Sequence, residues 1–302
     1  MITRGLAVTL AAAFVVLGVT AYWAQAQTTR PSMPPAAAAS APAPKAAPMD
    51  KAALQIDGST TVGPIAVEFV EAFKKLHPDV TITCKQTGSG DGAAALIDGR
   101  CQIATMSRFM KPEEFKSAVE KGEMPVAHAI AMDGVCMIVH PSNPVKALTI
   151  AQVHDIYTGK IANWKELGGM DAPIVVVSRD TSSGTYETFT HFVMGKDKLF
   201  DKVEYVNANP QAHARVSTTA GAIGYVGLGF VDTKVKALPI DGVMPSRKTV
   251  QAGTYPMTRP LFLFTNGYPK LGSVEHAFCT FYLTEQGQKI IEAKGFVPVT
   301  SY

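Results

Sequence analysis

From Leu54 onward, short apolar runs alternate with segments whose apolar residues return every three or four positions. LQID (54–57) reads as a strand. It passes through GSTTVG into PIAVEFVEAFKKLH, where Ile65, Phe69, Phe73 and Leu76 fall at helical spacing and Pro64 suits a first turn. The unit then returns. VTITC (80–84) leads through KQTGSGDG into the helical AAALIDG, and CQIAT (101–105) leads through MSRFMKPEEF into a helix ending near Lys121. IVVV (174–177), SRDTSSGT and YETFTHFVM form a further copy. Strands alternating with helices predict an α/β fold with largely parallel sheets, whose ligands gather at the carboxyl ends of strands.

Two apolar, β-rich passages break this rhythm: AHAIAMDGVCMIVHP (127–141), interrupted by Asp133-Gly134, and MTRPLFLFTN (257–266). If both cross between two sheets, residues 52–133 and 262–302 form lobe I and residues 134–261 form lobe II. Such a discontinuous two-lobe body places a ligand cleft at its hinge.

The first fifty residues follow a different pattern. MITRGLAVTLAAAFVVLGVTAYWAQAQ has a basic start at Arg4, an apolar run from Leu6 to Val19 and a small-residue site at Ala24-Gln25-Ala26. It is expected to be a signal peptide, residues 1–26, cleaved after Ala26; an uncleaved anchor helix is the alternative. Residues 27–51 are Ala/Pro-rich and are expected to be a disordered tether. The remaining length, about 250 residues, suffices for two lobes with real cores. A soluble exported protein is expected, without a further membrane span.

The net charge of +3 is small and its basic residues are dispersed, which argues against a nucleic-acid surface. Four cysteines, Cys84, Cys101, Cys136 and Cys279, stand in a chain expected to be exported, where disulfides are favoured over metal ligation. Spacing leaves three pairings open. Neighbouring strands would join Cys84 to Cys101 and leave Cys136 for Cys279, with buried free thiols as the competing reading of the second pair.

The candidate chemistry lies in the turns. Ser59-Thr60-Thr61, Gly88-Ser89-Gly90, Ser107-Arg108 and Arg179 through Thr185 each follow a strand and precede a helix. A helix start carries unsatisfied N–H groups and about half a positive charge, so an anion can bind there. Glycines 88, 90, 92 and 184 let backbone approach it, and hydroxyls add donors. Any one such turn is more often a helix cap; four in one chain, two of them with an arginine, point to a shared anion. Arg179 is the sharpest candidate, since a guanidinium offers a planar fork to phosphate or carboxylate. Asp91 and Asp180 are candidate acceptors for a proton on phosphate, which fully ionised sulfate lacks.

Enzyme signatures are missing: no G-x-S-x-G elbow, no G-x-x-x-x-G-K-[ST] loop, no H-E-x-x-H pair, and seven histidines without ligand spacing. No catalytic residue, metal site or cofactor is expected.

GSTTVGP, TGSGDGA, IATMSR, IYTGKIANWKELGG, SRDTSSGTYETF, GAIGYVGLGF and TEQGQKIIEAKGFVPV, in that order, resemble the periplasmic phosphate-binding proteins of high-affinity ABC phosphate importers. The likeness covers the chain from about 54 to 302. It implies a type II periplasmic-binding-protein fold, two α/β lobes closing on one phosphate without catalysis, the periplasm as compartment and a membrane permease as partner. Carried over by position, it implies Thr60, Thr61, Ser89, Arg179, Ser183, Gly184 and Thr185 as ligands, and a structural role for Tyr157, Gly159, Asn163 and Trp164. One departure stands out: where well-known members place an acceptor Asp after the third strand, this chain has Ser107 and Arg108, expected to add donors while Asp91 or Asp180 accepts. A monomer is expected. Alternatives are an exported phosphatase on the same scaffold, a receptor for sulfate, molybdate or arsenate, and an adhesive or signalling protein that uses the fold without import.

Overall fold

Each expected strand–turn–helix unit is present in the computed structural model, which describes residues 53–300. The expected signal peptide, 1–26, and tether, 27–51, lie outside the described residues. β1 (Ala53–Gly58) is central, with β2 (Thr81–Cys84) and β3 (Ile103–Met106) parallel to it on either side. Helices α1 (Gly63–Leu76) and α2 (Ser89–Ile97) connect them, and α3 (Pro112–Glu120) follows β3.

β4 (Pro125–Val139) is fifteen residues long and is shared between two sheets. Its second half enters a segment built from α4 (Ile150–Tyr157), β5 (Val175–Arg179), α5 (Gly184–Phe189), β6 (Glu204–Val206), α6 (Asn209–Ser217), β7 (Ala222–Gly227), β8 (Lys236–Ala237) and α7 (Arg247–Gln251). β9 (Thr258–Asn266) returns the chain, followed by α8 (Val274–Thr280), α9 (Glu285–Ala293) and β10 (Val297–Pro298). The hydrogen-bonded order is β2-β1-β3-β9-β4-β7-β5-β6.

The expectation of largely parallel sheets needs correction. β5 pairs β6 and β7 in parallel, but β9 runs antiparallel to both β3 and β4, and β4 antiparallel to β7. The reason is local: a strand that crosses from one sheet to the other and a strand that comes back necessarily oppose each other.

Apolar side chains divide accordingly. Phe69 and Phe73 of α1 meet Phe278 and Phe281 edge to face, over Ile56, Ile103 and Leu263. In the second core Tyr157, Trp164, Phe189, Tyr225 and Tyr255 pack with Val135, Met137 and Val139. Burial of each such side chain contributes roughly 1.5–3 kcal/mol. The change of core falls between Ala131 and Val135 on β4 and between Met257, just before β9, and Leu261 on it. Tyr157 donates to Val177 O at 3.0 Å and Trp164 Nε1 to Gly221 O at 2.8 Å, so two residues of the IYTGKIANW motif serve this core.

All four cysteines are free thiols, which corrects the expected disulfides. β1 lies between β2 and β3, so Cys84 opposite Ile56 and Cys101 beyond Ile103 sit on opposite sides of it. Cys136 and Cys279 belong to different cores. Burial raises the Cys84 thiol to about 11 and Cys101 to about 12, and holds Cys136 and Cys279 well above the ordinary thiol range.

Candidate functional site

Four strand ends deliver their turns to one place. After β1, the Ser59 hydroxyl takes the amides of Thr61 and Val62 at 3.1 and 3.3 Å, which leaves the Thr60 and Thr61 side chains at the start of α1. After β2, Gly88 at φ 144° turns the chain into α2 at Ser89, with no side-chain cap. After β3 comes Ser107, whose amide donates to Ser89 Oγ at 3.0 Å, and the two hydroxyls lie 3.2 Å apart. After β5 comes Arg179, and Ser183 caps α5 by accepting from Tyr186 N at 3.3 Å.

The turns meet across the cleft. Gly90 N donates to Ser182 O at 2.9 Å, and the Thr61 and Thr185 hydroxyls are 2.9 Å apart. Gly184 sits so close to the other lobe that a Cβ there would lie 2.5 Å from Ser89 Oγ and 2.6 Å from Ser107 Oγ. Thr60, Thr61, Ser89, Ser107, Arg179, Ser183, Gly184 and Thr185 are thus brought together, all buried.

Arg179 is the electrostatic centre of this shell. Its backbone is fixed by Tyr225, whose hydroxyl accepts from Arg179 N at 3.1 Å and whose ring stacks on Phe189 at 4.2 Å. Nε donates to Val206 O at 3.2 Å, and Nη2 to Asn207 O at 2.7 Å and to Thr60 Oγ1 at 3.2 Å. Nη1 is buried with no hydrogen-bond partner, and among the described residues no carboxylate forms an ion pair with this side chain. Burial pushes the guanidinium down to about 10. A buried cation with an unused donor and no counter-ion is costly unless an anion completes it.

Arg108 is placed differently from Arg179. Its Nη1 and Nη2 bind both oxygens of Glu114 at 2.8 and 2.7 Å, and Nε lies 3.0 Å from Glu187 Oε2, an ion pair without hydrogen-bond alignment. Lys111 Nζ lies 3.0 Å from the other Glu187 oxygen. Burial alone would lower the pKa of Arg108, but Glu114 and Glu187 outweigh it and raise it. The guanidinium is therefore spent on carboxylates, one of them on α5 across the cleft. Arg108→Ala is expected to leave anion affinity within about tenfold of wild type, because its fork is occupied by Glu114 and Glu187 rather than open to a ligand. Isothermal titration measures this; a loss as large as that of an Arg179 variant would make Arg108 a ligand.

Of the two acceptor candidates, Asp180 Oδ1 accepts from Ser182 N at 2.9 Å and Ser182 Oγ at 2.7 Å, while Asp91 is exposed in the first turn of α2.

Three polar residues behind the shell were not anticipated as site residues. Asn209, at the start of α6, donates from Nδ2 to Thr61 Oγ1 at 2.9 Å and Thr60 Oγ1 at 3.3 Å. Arg259 donates from Nη2 to Thr185 Oγ1 at 3.0 Å and from Nη1 to Ser107 O at 3.2 Å, and it is paired with Asp133 at 2.8 Å. A signal was present: Asp133 and Arg259 are lone opposite charges inside the two otherwise apolar crossing strands. Among the described residues no group of His, Cys, Asp and Glu could hold a metal ion.

Residues 34–286 match the family model described as the PBP superfamily domain. The chain is similar to the phosphate-binding protein PstS of Bacillus subtilis, 33% identical over 249 residues that make up 82% of this chain and 81% of that one. PstS of Borreliella burgdorferi is 29% identical over 82% of this chain and 90% of its own. Among solved structures, a phosphate-bound putative phosphate ABC transporter substrate-binding protein of Clostridium perfringens is 37% identical, with a TM-score of 0.76 over 82% of this chain and 100% of that chain. An ABC-type phosphate transport receptor of Vibrio cholerae is 29% identical, with a TM-score of 0.68 over 81% of this chain and 99% of that chain.

Proposed function

Because the chain belongs to the PBP superfamily and, within it, to the phosphate-binding PstS family, we propose that it captures inorganic phosphate between its two lobes and delivers it to an ABC importer. The observation that carries this reading is the buried Arg179, whose Nη1 has no hydrogen-bond partner and whose guanidinium forms no ion pair among the described residues, inside a shell of hydroxyls and a glycine backbone drawn from both lobes. A tetrahedral dianion leaving water needs its lone pairs met by donors, and this shell is built of donors. Ligand contacts that bridge the lobes, Thr60 and Ser89 on one side and Arg179, Ser183 and Thr185 on the other, stabilise the shut form by differential affinity.

The finer points belong to the same proposal. The protein works in the periplasm after removal of its leader, as a monomer that docks on a membrane permease, and it carries out no catalytic step. Among the described residues the site hydroxyls are held by each other, by Asn209, by two arginines and by the amides of Ser107 and Tyr186. Discrimination against sulfate requires an acceptor for the phosphate proton. Of the two candidates we assign this role to Asp180, which follows Arg179 in the chain and whose Oδ1 accepts from Ser182 N and Oγ; Asp91 is exposed.

Isothermal titration of the anion-stripped protein tests the reading. Tight one-to-one phosphate binding is expected, with sulfate at least about a hundredfold weaker, a gap of about 2.7 kcal/mol. Asp180→Asn is expected to narrow that gap by relieving repulsion of sulfate. Equal binding of both ions by the wild type would remove the selectivity proposal, and binding of neither would return the hydroxyl turns to helix caps.

A further inference from the structure

Asp133 on β4 and Arg259 on β9 are direct cross-strand partners in the two strands that connect the lobes. They are 0% and 4% exposed, with Arg259 Nε and Nη2 on Asp133 Oδ2 at 3.0 and 2.8 Å, and Leu228 N on Oδ1 at 2.8 Å. A buried ion pair contributes little net stability compared with apolar residues of the same volume. What sets this pair apart is the other side of the guanidinium, which faces the anion shell.

The hydroxyls of that shell can be followed proton by proton. A threonine hydroxyl has one proton and two lone pairs. Thr60 Oγ1 accepts from Arg179 Nη2 at 3.2 Å and from Asn209 Nδ2 at 3.3 Å, so both its lone pairs are used. Arg259 Nη2 has two protons, one on Asp133 and the other shared between Thr185 Oγ1 at 3.0 Å and Thr61 Oγ1 at 3.4 Å; Thr61 Oγ1, which also accepts from Asn209 Nδ2 at 2.9 Å, then has both lone pairs engaged and passes its own proton to Thr185 Oγ1 at 2.9 Å. Thr185 Oγ1 then accepts from Thr61 and from Arg259 Nη2 at 3.0 Å. The Asn209 amide cannot reverse this direction, because Gly227 N donates to its Oδ1 at 3.2 Å. The protons of Thr60 and Thr185 are left without an acceptor among the described residues, one on each lobe.

We propose that Arg259 is a positioning residue of the anion site: by donating to Thr61 and Thr185 it sends the Thr185 hydroxyl proton toward a tetrahedral oxyanion, as Arg179 and Asn209 do for Thr60, while Asp133 neutralises its charge. This rests on the phosphate reading above. The two arginines then have separate tasks. Arg179 supplies the net positive charge and Arg259 supplies direction, and through Ser107 O, Thr185 and Thr188 it ties the hinge to both lobes.

The test separates positioning from simple stability. Arg259→Gln combined with Asp133→Asn replaces the ion pair by a neutral hydrogen-bonded pair and leaves no lone buried charge. Its melting temperature is expected within a few degrees of wild type, while phosphate affinity falls about 10–100-fold, the effect of losing hydrogen bonds from a charged donor. Arg259→Lys, which keeps charge and donors, is expected to bind within about tenfold of wild type. Thr185→Val is expected to cost less in the double variant than in the wild type, because the hydroxyl it removes is no longer directed; should the double variant fail to fold, the same comparison is made in Arg259→Lys, where the cost of Thr185→Val stays close to that in wild type.

A stable double variant that binds phosphate as tightly as wild type would overturn the inference alone. Equal costs of Thr185→Val in the wild-type and double-variant backgrounds would do the same, as would a tight-binding Arg259→Lys in which Thr185→Val costs nothing. A wild type that binds no phosphate would overturn the phosphate reading and this inference with it.

Discussion

Arg179→Met is expected to weaken phosphate binding by about a thousandfold, equivalent to about 4 kcal/mol, with the fold retained. The size follows from position. The guanidinium is 1% exposed, and among the described residues its Nη1 has no hydrogen-bond partner and no carboxylate forms an ion pair with it, so on the proposed reading the bound anion is its counter-ion. Methionine fills similar volume and offers nothing to phosphate. In the ligand-free protein two effects oppose each other: the Val206 and Asn207 carbonyls lose their donor, and an uncompensated buried cation disappears. The melting temperature without phosphate is therefore expected within about 5 °C of wild type. Arg179→Lys should fall between, since an ammonium restores charge but not the fork.

The same titration has a pH signature. Burial lowers Arg179 to about 10, so in the ligand-free protein it loses its proton as pH rises through about 10. Bound anion favours the charged form and raises that value. Affinity should hold steady from about pH 8 to about 9.5 and decline above about 10, with proton uptake on binding there. A flat profile through about pH 11, or an Arg179→Met variant within tenfold of wild type, would place the anion elsewhere.

Gly184→Ala is expected to cost about a hundredfold in phosphate affinity without destabilising the separate lobes. Gly184 opens α5 on one side of the cleft, and its added Cβ would meet Ser89 Oγ at 2.5 Å, Ser107 Oγ at 2.6 Å and Ser89 Cβ at 3.0 Å on the other. Rotating one hydroxyl relieves the first contact only, because the third is to the serine stem. Shut, the variant must hold the lobes apart by several tenths of an ångström. Open, alanine at a helix start is as good as glycine or better. Scattering should show the wild type contracting on phosphate addition and the variant contracting less. Full contraction with unchanged affinity would mean that the turns do not approach as closely as this geometry requires.

The part of the site that was legible in the sequence is the part made by local rules. Ser59 through Thr61, Gly88-Ser89, and Arg179 through Thr185 each stand where a strand ends and a helix starts. That position demands capping hydroxyls and permissive glycines, and it leaves N–H groups for a ligand. The crossings at 127–141 and 257–266 were legible for a similar reason, as apolar runs too long for one sheet edge.

What the sequence by itself determined, then, is the succession of elements and the chemistry at strand ends, because both depend on residues within one turn of each other. Tertiary structure alone decided who meets whom. Strand order placed β1 between Cys84 and Cys101 and kept both as thiols. The fold set Glu187 across the cleft from Arg108, and so gave a candidate ligand a carboxylate partner that no local pattern announces. It also brought Arg259 opposite Asp133, 126 positions away along the chain, and Asn209 under Thr60 and Thr61. These contacts carry no local pattern, since a side chain's partner in a packed interior is set by the register of distant strands, and one residue of slip would turn each of them to the opposite face.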